Sequence, residues 1–153
     1  MDYRRFFERK AEEVAKDLLG RILIRTTRIG STSATIIETG AYEGGKEIKA
    51  RKGMEYEPGR LFLMPCRGNL LFNIATDREI YPSCVELRKV GTHEKTVTGS
   101  GAITRFFDIP KYLDGVLLGG EIQIIGESLE KSKIKKIKSD IKNCLGIYSI
   151  GED

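Results

Sequence analysis

Ile36-Ile37-Glu38-Thr39-Gly40-Ala41-Tyr42-Glu43-Gly44-Gly45 reads as a strand running into a turn. It opens on a β-branched pair behind Thr35 and closes on two glycines that free the backbone. Side chains alternate across a strand, so Glu38, Gly40 and Tyr42 share one surface, and Ile37, Thr39 and Ala41 share the other. A carboxylate, a gap and an aromatic ring in one row have the look of a site. The same row also fits an edge strand whose polar face is simply wet.

Working outward, Arg21–Thr27 reads as a partner strand, with a turn at Gly30-Ser31 leading into Ser33–Tyr42 as a hairpin. Residues 2–19 read as one amphipathic helix that Asp2 caps and Gly20 ends, with Phe6, Phe7, Ala11, Val14, Ala15, Leu18 and Leu19 at helical spacing. Residues 43–59 form a long loop, and loops of that length tend to be functional or mobile. Strands follow at Arg60–Met64, Leu70–Ala75, Cys84–Val90 and Glu121–Ile125. Turns fall at Pro65–Asn69 and Thr76–Glu79, and a short helix at Ala102–Phe107. Ile134, Ile137, Ile141 and Leu145 predict a last helix with a lysine-rich outer face. The expected fold class is α+β: a single domain over residues 1–153, with a curved antiparallel sheet and flanking helices.

The totals narrow the function classes. A chain of 153 residues buries roughly two-thirds of its unfolded surface as one domain. No apolar run approaches the ~20 residues that span a bilayer, and residues 1–8 lack the apolar core of a signal peptide. The expectation is a cytoplasmic protein with no membrane partner. Cys66, Cys84 and Cys144 are odd in number and widely spaced, and His93 is the single histidine, which argues against a metal site. The net charge of +4 permits an anionic partner without requiring one.

Taken in order, several stretches resemble the alkyladenine (3-methyladenine) DNA glycosylase family. Val14–Gly20 resembles its "A-x-x-LLG" helix, Ile36–Tyr42 its "I-V-E-T-E-A-Y" signature, and Pro58–Phe62 its "P-G-x-L-Y". Gly68 with Asn73 fits its "Y-G-…-N", Val85–Arg88 its "V-L-L-R-A", and Gly99–Gly115 its "G-P-x-x-L-x-x-A-L-G-I-…-L-x-G". The match covers about residues 5–125.

The resemblance implies a glycosylase-like sheet, which is also like the C-terminal domain of formyltransferases. It further implies DNA base-excision repair: a hairpin enters the minor groove of damaged double-stranded DNA, and an alkylated or deaminated purine such as 3-methyladenine is flipped into a pocket. Water then cleaves the glycosidic bond. No cofactor and no obligate protein partner are implied, and a monomer is expected. Tyr42 matches the tyrosine that stacks on the flipped base, Asn73 the pocket asparagine, and Arg88 the arginine that holds the attacking water. Met64, Cys66 and Arg67 occupy the wedge region, where the family has tyrosines.

The departures bear on chemistry. Gly40 stands where the family has its catalytic glutamate, and a positioned general base is worth about 10²–10⁴ in rate. Glu38 shares the face but lies about 6.5 Å back along the strand. Glu43 is a second substitute, reaching in from the loop. The family's pocket histidine maps near Ala50 or Arg51. Three expectations follow: a glycosylase using Glu38, Glu43 or the good leaving ability of cationic bases; a DNA-binding relative that has lost the chemistry; or a small-molecule or protein-binding domain on a similar sheet.

Overall fold

In chain order the elements are α1 (Tyr3–Phe7), α2 (Ala11–Leu18), β1 (Ile22–Thr27), β2 (Gly30–Glu43), β3 (Leu61–Cys66), β4 (Asn69–Ala75) and β5 (Ser83–Gly91). β6 (Thr96–Thr98), α3 (Ser100–Phe106), β7 (Ile122–Ile125), β8 (Ile134–Ile137) and β9 (Cys144–Ile150) follow. The computed structural model describes residues 1–44, 55–78 and 82–151. Gly45, Ala50, Arg51, most of the 43–59 loop and the end of the Thr76–Glu79 turn lie outside the described residues.

β2 is the longest strand, and the rest of the sheet is laid on it. Its first half pairs with β1 and its second half with β9, while β5 runs along the opposite edge from Thr35 to Glu43. The order is β3-β4-β5-β2-β1-β7, with β6 added on β5 and β8 on β9, and every pairing is antiparallel. Helices and antiparallel sheet together make an α+β chain. No helix among the described residues is long and apolar enough to cross a membrane.

One face of the sheet carries the main core. Ile36, Ala41, Leu61, Leu63, Phe72, Ile74, Val85, Leu87 and Val90 pack there with Val14, Ala15 and Leu18 of α2 and Ile103 of α3, all nearly sealed from solvent. The buried Thr39 hydroxyl donates to the Ala15 carbonyl at 2.7 Å and ties β2 to α2. The opposite face carries a smaller cluster of Tyr42, Phe62 and Cys84.

The alternation along β2 is broken once. The β2–β5 register shifts between Ile36 and Glu38 and again between Glu38 and Thr39, so Ile37 on β2 and Arg88 on β5 lack a direct partner. Ile36, not the expected Ile37, therefore shares the core face with Thr39 and Ala41. Paired bulges of this kind re-aim side chains, and here they sit beside the smaller cluster.

Three expectations are corrected. Residues 2–19 form two helices with a corner at Glu8–Lys10. Arg9 fixes the corner: its Nε donates to the Phe6 carbonyl at 2.8 Å, its guanidinium lies 4.7 Å from the Phe6 ring centre, and Nη2 meets Asp17 at 2.8 Å. The β3–β4 turn is only Arg67–Gly68, both at positive φ (48° and 82°), which makes a tight hairpin with Pro65 and Cys66 still paired inside the ladder. Proline is tolerated there because β3 ends the strand order. The predicted last helix is a helical turn at Lys131–Lys133 followed by the hairpin β8–β9. β9 fills the edge of β2 that β1 leaves open from Glu38 to Tyr42, and backbone pairing there outweighs the helical spacing of the isoleucines.

Asp17 accepts from both Arg9 and Arg21, at 2.8 and 3.0 Å. Burial alone would raise its pKa, but those two guanidiniums outweigh it and hold the carboxyl below its ordinary value. A depressed carboxyl contributes stability above the unfolded carboxylate range, near 4, and that stability is lost as pH falls through the lowered value. Asp17→Asn is expected to cost about 1–2 kcal/mol at neutral pH and to flatten the acid limb of stability, read by denaturant melts from pH 7 to 2. An unchanged acid limb would contradict this.

Candidate active site

The smaller cluster floors a concavity of about 210 Å³ lined by Tyr42, Phe62, Met64, Leu71, Asn73, Cys84, Glu86, Arg88 and Ile141. Strand alternation brings these residues together. On β3, Phe62 and Met64 face the cavity while Leu61 and Leu63 face the core, and on β5 the same split separates Glu86 from Val85 and Leu87. Ile141 approaches from the β8–β9 connection.

Arg88 organises the polar part. Its Nε donates to Glu38 Oε2 at 3.2 Å, and its Nη1 donates both to Glu86 Oε1 at 3.1 Å and to Tyr42 Oη at 3.1 Å. Burial works against the guanidinium's charge, but the Tyr42 oxygen and the Glu86 and Glu38 carboxylates outweigh it and raise its pKa. Tyr42 is pushed well above the ordinary phenol value, first by burial and then by the Glu86 carboxylate, and stays a neutral phenol. Asn73 is buried, donates from Nδ2 to the Leu71 carbonyl at 3.2 Å, and receives the Cys84 thiol at 3.7 Å.

Gly40 lies directly under this group. A Cβ built there would stand 2.9 Å from Tyr42 Cε2, 3.2 Å from Arg88 Cδ and 3.3 Å from the Tyr42 oxygen. The ring and the arginine stem thus fill the space that a side chain at position 40 would take. Gly146 and Tyr148 repeat the device on β9, where a Cβ would meet the Tyr148 oxygen at 2.7 Å.

Tyr42, Asn73 and Arg88 therefore converge, and Glu38 and Gly40 adjoin them. Met64 lies in the cavity wall and not at the hairpin tip, Cys66 pairs with Asn69 beside the turn, and Arg67 is exposed at the tip. Glu43 pairs with Ser83 at the end of β2, on the face away from Tyr42, so it does not reach in from a loop. Glu86 is the polar residue that sequence reasoning passed over. Its signal was the alternation Val85-Glu86-Leu87-Arg88, which sets two charged groups on the surface opposite two aliphatic ones.

A neutral phenol, a buried amide and an ion-paired guanidinium around an aromatic floor suit a flat, polar ring. The sequence profile of the methylpurine-DNA glycosylase (MPG) family matches residues 5–96, and the chain belongs to that family. A protein of Methanocella arvoryzae named "Putative 3-methyladenine DNA glycosylase" is 29% identical over 98% of this chain and 86% of its own length. One of the same name from Staphylococcus saprophyticus is 27% identical over 96% of this chain and 83% of its own. A Bacillus subtilis relative, again so named, is 30% identical over 58% of this chain, and the match spans half of that protein.

Proposed function

We propose that the chain is a DNA-repair N-glycosylase that removes alkylated purines such as 3-methyladenine, with residues 1–153 acting as one glycosylase-like domain. The damaged base leaves the stack, enters the cavity and lies against Tyr42, where ring stacking and cation–π attraction favour a cationic purine. Asn73 meets the base edge, and Arg88 sits where the C1′ atom and the attacking water meet. Arg67, cationic and exposed at the β3–β4 tip, enters the minor groove, with Cys66 beside it. Met64 serves as pocket wall. The observation that carries this is the 3.1 Å bond between Arg88 Nη1 and Tyr42 Oη at the cavity. It couples the group that would stack on the base to the group that would manage the water.

Gly40, with no carboxylate to offer, favours a second possibility, a DNA-binding relative without catalysis. Base release separates the two. The protein is expected to liberate 3-methyladenine from methylated duplex DNA above the spontaneous rate, measured by chromatography of free bases. No release together with salt-dependent DNA binding would leave only the binding module. No DNA binding at low salt would remove both.

A further inference from the structure

The geometry points to Glu86 as the general base of this cavity, an assignment that rests on the glycosylase reading. Glu86 sits in mid-β5 with Gly40 of β2 as its ladder partner on one side and Asn73 of β4 on the other. Directly opposed residues share a face, with Cβ positions about 4.5–5.5 Å apart. The Glu86 side chain therefore stands over the same surface as position 40 and beside a residue that brings no side chain of its own. The missing carboxylate of β2 is supplied from the adjacent strand.

Three observations favour Glu86 over its neighbours. It is the one carboxylate among the described residues lining the cavity. Its side chain is 12% exposed and is held by the same Arg88 nitrogen that holds the Tyr42 hydroxyl, which fixes it beside the aromatic floor. Glu38 meets the guanidinium at Nε and does not line the cavity, and Glu43 faces away. An ion pair serving stability alone would be provided by Glu38 without placing a second carboxylate against the cavity.

The oxygen of a water forms a bond to C1′ as the C1′–N bond breaks, and that electron pair leaves with the purine, so a cationic alkylated base departs neutral. The water's proton passes to a Glu86 carboxylate oxygen, and the carboxyl later returns it to solvent. The products are the free base and an abasic sugar bearing a hydroxyl at C1′.

The test is single-turnover release of methylpurines from methylated duplex DNA. Glu86→Gln, which keeps shape and hydrogen bonding, is expected to lower release by about 10²-fold or more with DNA binding retained. Glu38→Gln, which takes a charge from the same guanidinium outside the cavity, is expected to lose markedly less. The wild-type rate should fall on the acid side as the base protonates, and Glu86→Gln should lack that limb. Should Glu86→Gln not fold, Glu86→Asp keeps the charge but withdraws it by one methylene, and a loss of about tenfold or more is expected. A rate for Glu86→Gln (or Glu86→Asp in its place) within about threefold of wild type, an equal loss in Glu38→Gln, or a surviving acid limb would overturn the assignment while leaving the glycosylase reading intact. A wild-type protein that releases nothing above the spontaneous rate fails at the earlier step and takes both down.

Discussion

Arg88→Ala is expected to reduce base release by about 10³-fold or more and to destabilise the fold as well, because one side chain serves both purposes. The guanidinium is the shared partner of Glu38, Glu86 and the Tyr42 hydroxyl. Its removal takes from Glu38 and Glu86, 14% and 12% exposed, the guanidinium that both carboxylates meet. Breaking a fully buried pair costs about 3–5 kcal/mol. Arg88 is 28% exposed, so solvent screening brings the expectation down to about 2 kcal/mol. For a chain of this length that is a melting-temperature drop of about 4–8 °C.

The double variant Arg88→Ala/Glu38→Gln should regain about 1 kcal/mol, since it removes one of the two carboxylates that lose the guanidinium, while release stays lost. DNA affinity at fixed salt should be largely retained, because the groove contacts proposed for the β3–β4 tip are elsewhere. Unchanged stability in Arg88→Ala would mean that the three bonds have no energetic consequence. Unchanged release would remove Arg88 from the chemistry.

Much of this site was legible in the chain because strand alternation is a short-range rule. It placed Glu38, Gly40 and Tyr42 on one surface, and the family resemblance added Asn73 and Arg88 from strands that sequence alone could not dock against it. The exception, Ile36 taking the core position given to Ile37, comes from a bulge whose two halves lie on β2 and β5, roughly 50 residues apart in sequence. Nothing local to either strand encodes it.

The C-terminal region failed for a related reason. Ile134, Ile137, Ile141 and Leu145 satisfy a helical period, but the decisive fact is the unpaired edge of β2 more than 90 residues earlier, which β9 completes. Cys144–Ile150, with its two isoleucines and its tyrosine, carries a strand's composition. Glu86 was missed because a lone glutamate among aliphatics reads as a solvated position until the neighbouring strands show what it overlooks.

Filling position 40 is expected to harm the protein, contrary to the simple idea that restoring a glutamate there would rescue chemistry. A Cβ at 2.9 Å from the Tyr42 ring edge is closer than such contacts occur, and Arg88 Cδ at 3.2 Å closes the other side. Gly40→Ala should therefore cost about 1–3 kcal/mol, the usual range for overpacking a well-filled site. Gly40→Glu adds a third carboxylate around one guanidinium, and release is expected to fall by about tenfold or more as Tyr42 is pushed from its place against the cavity.

The mechanism is testable by a double-mutant cycle. With Tyr42→Ala in the background the obstructing ring is gone, so Gly40→Ala should cost about 0.5 kcal/mol or less, and the coupling between the two positions should exceed about 1 kcal/mol. A Gly40→Glu protein that melts at the wild-type temperature and releases base faster would show instead that the ring yields freely. The glycine at 40 would then be a simple loss and not the counterpart of the carboxylate that β5 places across from it.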